Sequence, residues 1–362
     1  MDNRNPASPR IAGFVELIGN EDLSIKDDKL YADSYVDLVW FDISDPERPE
    51  LEGRVENAFR YALPTIENGY GFDYNMCYSE EARAKGVVVG WEPKEREETI
   101  YHYPSYGGDL MANDAAPGTS TQGVNGSMAR FSIYGKYLYT VEQNVMCVFD
   151  LSGDKPVLTT NDIWLQRDVE TLFNYKDKMF MGTPTGMLIY SLEDPLAPKY
   201  RSSVSHVFGC DPVVVEDDLA YVTVHSGNTC GQNTNELMLI DVSDVDQPNL
   251  LVTYGMKCPK GLGIDNGTLF LCDEGLKVFN AKDPMTLMAN QLVHYAGMEG
   301  YDVIPFKNTL MMIADDGLYQ YDYSNLQAIS QLSKLPNGRI EFNIPLRYSL
   351  RKVFTGLRDA AL

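Results

Sequence analysis

Phe41-Asp42-Ile43-Ser44-Asp45-Pro46-Glu47-Arg48-Pro49 reads as a strand end, an acid, a turn and a pair of closing prolines, and the same shape returns along the chain. It reappears as Leu239-Ile240-Asp241-Val242-Ser243-Asp244 with Pro248, and as Tyr190-Ser191-Leu192-Glu193-Asp194-Pro195 with Pro198. Looser copies are Phe149-Asp150-Leu151-Ser152 with Pro156, Phe279-Asn280 with Asp283-Pro284, and Tyr321-Asp322-Tyr323-Ser324. A worn copy, Asp2-Asn3-Arg4-Asn5-Pro6-Ala7-Ser8-Pro9, precedes them all. Asp, Asn and Ser side chains bond backbone amides just downstream, and Pro fixes φ while removing a donor. Each copy therefore ends one strand and turns the chain into the next. The apolar alternation ahead of it, as in Val145, Cys147 and Phe149, has the period of a strand.

Spacing turns the motif into an architecture. The strand-ending residues are 2, 42, 150, 191, 241, 280 and 322, with gaps of 40, 108, 41, 50, 39 and 42. Leu30-Tyr31, Leu138-Tyr139, Met179-Phe180 and Leu310-Met311 each lie 12 residues before that end, and Leu269-Phe270 lies 11 before Asn280. A further strand begins eight residues upstream of these pairs, as in Asp22-Leu23-Ser24-Ile25 and Asp302-Val303-Ile304. Four short strands in about forty residues are the unit of a propeller blade. A β-sandwich does not require the same turn chemistry at the same register in every strand group, which places it behind.

The expected fold is all-β: a β-propeller of four-stranded blades, six complete, with residues 10–18 as one outer strand of a truncated seventh. Residues 1–336 form the propeller, and 60–127 are an insertion rich in Gly, Pro, Asn and Tyr. Within the insertion, 86–91 and 99–103 read as a hairpin. The fourth unit carries a ten-residue loop at 225–234, and residues 337–362 form a basic tail that leaves the repeat pattern. An outer strand without partners exposes a sheet edge. The expectation is therefore an incomplete N-terminus, unless residues 339–346 supply a missing strand.

With 52 acids against 30 basic residues the net charge is −22, which excludes nucleic acid and anionic membrane as partners. No apolar run is long enough to span a bilayer, and no signal peptide is recognisable. The six cysteines form no C-x-x-C pair and no zinc-like spacing with His. Cys147 and Cys272 lie in strand-like runs as small hydrophobes. Cys210 and Cys230 stand in loops of one unit, beside Gly209 and Gly231, and are the pair expected to form a disulfide.

The repeats resemble the LVIVD-repeat β-propeller proteins, whose units end in L-V-I-V-D followed by S-x-P-x-x-P. The corresponding residues are Leu38-Val39-Trp40-Phe41-Asp42, Leu237-Met238-Leu239-Ile240-Asp241 and Leu276-Lys277-Val278-Phe279-Asn280. Residues 31–38 and 126–131 look like versions found in Bacteroidetes cell-surface lipoproteins. That resemblance implies an extracytoplasmic setting at the cell surface or outer membrane, and it implies no reaction, since propellers host many functions. The basic tail and the lack of a lipoprotein signal depart from the pattern.

Catalytic motifs are thin: there is no G-x-S-x-G, H-E-x-x-H, P-loop or dinucleotide fingerprint. The informative set is a ring. Residues at one register of the innermost strands are Asp22, Arg130, Thr171, Asp211, Gly261 and Asp302, preceded by Glu21, Ala129, Glu170, Cys210, Lys260 and Tyr301. Asp22, Arg130, Asp211, Asp302, Glu170 and Lys260 are the candidate ligand-binding residues of a channel mouth, with Arg130 opposite the acids. Three acids at a narrow mouth need neutralising, and calcium suits their oxygens better than zinc. Against this stands a structural role, with the acids bonding backbone amides of neighbouring blades. No catalytic residue is assigned. The functional expectation is a monomeric, non-enzymatic binding scaffold for a protein or glycan. The alternative is a surface hydrolase or lyase acting on glycans through carboxylates at the mouth.

Overall fold

A computed structural model describes residues 1–64, 72, 74–92, 129–205, 212–225 and 234–336. Its strands fall into six four-stranded antiparallel sheets, each built from strands consecutive in sequence. Blade I is β1 (Leu23–Lys26), β2 (Lys29–Ser34), β3 (Asp37–Asp42) and β4 (Glu50–Val55). Blade II is β5 (Phe131–Tyr134), β6 (Tyr137–Glu142), β7 (Val145–Asp150) and β8 (Val157–Trp164). Blade III is β9 (Thr171–Tyr175), β10 (Lys178–Thr183), β11 (Gly186–Ser191) and β12 (Lys199–Ser205). Blade IV is β13 (Val213–Glu216), β14 (Leu219–Val224), β15 (Glu236–Asp241) and β16 (Asn249–Gly255). Blade V is β17 (Leu262–Asp265), β18 (Thr268–Cys272), β19 (Leu276–Asn280) and β20 (Gln291–Tyr295). Blade VI is β21 (Gly300–Phe306), β22 (Thr309–Ala314), β23 (Gly317–Asp322) and β24 (Ser330–Pro336). The innermost strands β1, β5, β9, β13, β17 and β21 touch in succession, as a propeller requires.

The recurrent motif builds one end of this body, and its hydrogen bonds repeat six times. The strand-ending side chain accepts the amide two residues on: Asp42 from Ser44 (2.7 Å), Asp150 from Ser152 (2.8 Å), Ser191 from Glu193 (3.3 Å), Asp241 from Ser243 (2.9 Å), Asn280 from Lys282 (3.2 Å) and Asp322 from Ser324 (2.8 Å). The intervening amide reaches the neighbouring hairpin, as in Ile43 N to Asp28 O and Val242 N to Asp218 O. Those hairpins turn on two residues, and Asp217–Asp218, Asn266–Gly267 and Lys307–Asn308 have both residues at positive φ, which matches the twist of the flanking strands. The third and fourth strands of every blade slip register, at two places in blade II and at one in the others, for example between Trp40 and Phe41 and between Leu239 and Ile240. Such a bulge bends the outer strand.

Blade faces alternate, and the cores lie between blades. Separate clusters join blades I and II (Tyr31, Trp40, Leu138, Phe149), II and III, III and IV, IV and V, and V and VI. Tyrosines pin adjacent blades: Tyr139 Oη donates to Pro195 O (2.8 Å), Tyr254 Oη to Pro284 O (2.8 Å) and Tyr295 Oη to Ile329 O (2.5 Å). Cys147 and Cys272 are buried among apolar neighbours.

Three features differ from the sequence expectation. Residues 86–91 form no strand; ahead of them lie two short helices, α1 (Tyr74–Tyr78) and α2 (Glu80–Lys85). Ser79 caps α2 by accepting the Ala82 amide, a local signal that the texture of the insertion obscured. Blade V turns through a 3₁₀ helix, Pro284–Asn290, capped by Asp283. Residues 11–17 are not an outer strand: only Arg10 pairs, with Asp2. Beyond Arg10 no strand lies beside the segment among the described residues to receive its backbone.

Candidate functional site

Strand direction sorts the connections between the two ends. The first hairpin and the motif turn of each blade share one end. The link between the second and third strands and the link to the next blade share the other, called here the mouth end, where the inner strands begin. The two longest connections, residues 56–130 and the loop between β14 and β15, therefore leave from the mouth end, while the next longest, the 3₁₀ turn of blade V, leaves from the other.

At the mouth between blades I and II, four carboxylates surround one guanidinium. Arg130 Nη2 donates to Glu21 Oε2 (2.5 Å) and Nη1 to Glu142 Oε2 (3.4 Å), while its backbone amide donates to Asp22 Oδ2 (2.5 Å). Asp22 Oδ1 also accepts the Leu23 amide (2.8 Å). Asp33 Oδ1 accepts from Asn20 Nδ2 (2.6 Å) and from the amides of Glu21 (2.8 Å) and Asp22 (2.9 Å). Arg130 thus stands beside Asp22 on the adjoining blade rather than opposite it, because successive inner strands are neighbours around the ring.

Burial governs this cluster. Desolvation pushes the Asp22 carboxyl up to about 6 against the pull of the Arg130 amide and charge, and pushes Glu142 up to about 7 despite Arg130. Asp33 is raised for the same reason. Burial acts to lower the Arg130 guanidinium, but the charges of Glu142 and Glu21 outweigh it and the group stays protonated. Glu142 also lines a cavity of about 10 Å³, room for one water, together with Thr140, Cys147, Asp162 and Arg60. The buried Thr140 Oγ1 has no hydrogen-bond partner there among the described residues.

A second polar group lies between blades V and VI. Lys260 Nζ donates to Glu299 Oε1 (2.5 Å) and sits 4.3 Å from the centre of the Tyr301 ring. Gly261 N donates to Tyr301 O (2.8 Å). A side chain at Gly261 would collide with Asp302, which is 2 % exposed. Asp273 accepts the amides of Lys257 (3.1 Å) and Cys258 (2.7 Å) and pairs with Lys277 (2.6 Å). Glu170 adjoins Thr171 at the start of β9, its amide donating to Gly182 O (2.9 Å).

The register reading thus brings Glu21, Asp22 and Arg130 together and separately groups Lys260, Tyr301 and Asp302. Asp211, Cys210 and Cys230 lie outside the described residues. Among the described residues no three His, Cys, Asp or Glu side chains gather as a cation site. Glu142 and Asp33 were missed by the ring reading, since they end the second strand rather than begin the first. Counting back from the opposite strand of the same hairpin would have found them.

Two stretches of the chain, residues 21–57 and 211–255, match the LVIVD repeat. They coincide with blade I and blade IV. No curated protein matches the chain in sequence. Among solved structures the chain resembles the periplasmic gluconolactonase of Pseudomonas aeruginosa, at 12 % identity and TM-score 0.52, over 88 % of this chain and 85 % of that one. It also resembles the computationally designed Ika8 protein (11 %, TM-score 0.48, 88 % and 87 % covered) and Hsv2 of Kluyveromyces lactis (9 %, TM-score 0.47, 85 % and 75 % covered). The fold is a six-bladed β-propeller bearing LVIVD repeats. None of its described helices is long and apolar enough to cross a membrane.

Proposed function

We propose that this chain is a non-enzymatic binding scaffold that works outside the cytoplasm and receives a protein or glycan at its mouth end. One observation supports the reading above others: the two longest connections, residues 56–130 and the loop between β14 and β15, leave from the end that carries the Arg130 and Lys260 groups. Loops carried on a rigid scaffold are where binding residues concentrate. Glu21, Glu142, Glu170, Lys260 and Glu299 are the polar side chains offered there, with Asp22 holding the neighbouring backbone and Asp302 buried against Gly261. The extracytoplasmic setting rests on the resemblance to surface lipoproteins, and a Cys210–Cys230 disulfide would accord with it.

The test is a glycan array and a protein pull-down with the full chain, beside Lys260→Glu and Glu21→Lys variants that keep their melting temperature. Binding that falls at least tenfold with either mouth variant supports the reading. Binding indifferent to both, yet lost on substitution at the motif turns, sinks it.

A second reading has one observation in its favour. Glu142 near 7 and Asp22 near 6 span the range in which a general acid and base operate. On that reading the mouth is the site of a hydrolase or lyase acting on glycans. Turnover of a glycan substrate that disappears in Glu142→Gln with folding intact would favour it over the scaffold.

A further inference from the structure

The ring of blades has one seam unlike the others. Inner strands touch from β1 through β5, β9, β13 and β17 to β21, but β21 and β1 make no comparable contact. No apolar cluster joins blade VI to blade I among the described residues; the facing side of blade I (Ala32, Val39, Phe41) is covered by Leu17 alone of the N-terminal segment. On blade VI the residues turned to the seam are Ile304, Met311, Ile313 and Leu318, all only half-buried. Met311 makes the contrast plain. Its register mates Tyr31, Tyr139, Phe180, Tyr221 and Phe270 are all buried.

Bonded to blade VI at this seam is the motif turn of a seventh unit. Asp2 and Arg10 exchange backbone hydrogen bonds (2.8 and 3.1 Å), as Asp42 pairs with Glu50 in blade I. The Arg4 amide bonds Asp2 Oδ1 (3.2 Å) and the Ala7 amide bonds Asn5 Oδ1 (3.2 Å), repeating Ser44 on Asp42 and Glu47 on Asp45. Ser333 Oγ donates to Pro6 O (2.6 Å), the same bond that Thr160 makes to Leu196 O and Ser202 to Val245 O in the next blade's turn. Gln320, at the register of Val148, Ile189 and Leu239, is buried and exchanges two amide hydrogen bonds with Asn3 (2.9 and 2.8 Å). A polar residue at an otherwise apolar position is matched to this segment.

We infer that residues 339–346 lie in the seventh position as a strand, covering the half-buried face of blade VI beside the N-terminal turn. The segment follows β24 directly, and β24 borders the seam. Ile340, Phe342 and Ile344 alternate with Arg339, Glu341 and Asn343, the period of a strand with one apolar face, and Pro345 ends it. Charge favours the docking: residues 337–362 hold Arg339, Arg347, Arg351, Lys352 and Arg358 against Glu341 and Asp359, in a chain of net −22.

The experiment places a photo-crosslinking aromatic residue at Phe342 of the full chain and maps products by mass spectrometry, with hydrogen exchange on the full chain and on one ending at Asn337. Cross-links within a monomer to residues 304–318 or 11–18, and severalfold faster exchange of β22 and β23 after truncation, are expected. Cross-links that appear only in a dimer would assign the seam to a second copy and overturn the proposal. So would cross-links to other blades, no cross-links, or exchange unchanged by truncation. The ligand tests at the mouth do not bear on this outcome.

Discussion

One end of the propeller repeats itself and the other does not, and their acids behave in opposite ways. At the turn end, Asp42, Asp150, Asp241 and Asp322 accept a serine side-chain or backbone bond in open solvent, and each carboxyl is held below its ordinary range. At the mouth end, Asp22, Asp33 and Glu142 are desolvated faster than hydrogen bonds can compensate, and each is pushed up. Asp316 is the exception at that end, lowered by hydrogen bonding to Lys334. An acid that serves only architecture is placed where ionisation is favourable. Acids kept where ionisation is costly mark the end that has been shaped for something else.

The largest effect is expected at Arg130. Replacing it with Met removes the only guanidinium among Glu21, Asp22, Asp33 and Glu142 while keeping the bulk of the side chain. Breaking a buried ion network from one side costs about 3 kcal/mol. Arg130→Met should therefore lower the midpoint of urea unfolding strongly at pH 7.5, and less at pH 5, where Asp22 and Glu142 are protonated. An equal loss at both pH values would show that Arg130 acts through packing.

Opposite shifts make opposite pH profiles. A carboxyl raised in the folded state binds its proton more tightly there, so its ionisation destabilises the fold as pH rises from the unfolded value to the folded one. For Glu142 that window runs from about 4.5 to about 7, and for Asp22 from about 3.8 to about 6. The lowered turn acids contribute stability above their ordinary range and lose it as pH falls through their folded values, below 3.8. The melting temperature should rise on acidification from pH 7.5 to 5 and fall again below about 3.8. Glu142→Gln should flatten the upper limb and leave the lower limb alone. A wild-type profile flat between pH 5 and 7.5 would undo the contrast between the two ends.

The two ends were not equally legible in the sequence. The turn end was read almost completely, because Asp, Ser and Pro at fixed offsets impose their own local geometry wherever they stand. Blade number, strand order and the roles of Asp42 and Asp241 followed from it. The mouth was read in part. Register placed Glu21, Asp22 and Arg130 in one ring with Arg130 opposite the acids; that Arg130 instead adjoins Asp22 and Glu21 depends on how blades pack, which no local pattern encodes. Glu142 and Asp33 escaped because their environment is set by burial against a neighbouring blade. The helices of residues 74–85 escaped because they are too short to show a period.

A smaller effect tests the turn end. Asp241→Ala removes the acceptor for the amide (2.9 Å) and hydroxyl (2.6 Å) of Ser243. The turn is exposed and its prolines still restrict the chain, so the melting temperature should drop by only about 2 °C. Because the missing carboxylate is one of the lowered acids, the loss should shrink as pH falls below 3.8 through its folded-state value. A drop comparable to that of Arg130→Met would mean that the repeated turns, and not the interblade cores, hold the blades together.

The smallest expected effect is that of calcium. A calcium ion takes six to eight oxygens. At the mouth, the Asp22 oxygens accept the amides of Arg130 and Leu23, Asp33 accepts from Asn20 and two amides, and Glu21 and Glu142 hold Arg130. A cation would have to displace a guanidinium from two carboxylates and amides from the others, and the Asp302 carboxylate is buried against Gly261. Melting of the wild type and of Asp211→Asn, each with calcium and with chelator, should therefore agree within about 1 °C. A calcium-dependent rise in the wild type that is absent from Asp211→Asn would reverse this reading. It would make Asp211 the centre of a cation site and turn the mouth from a polar rim into a metal-organised one.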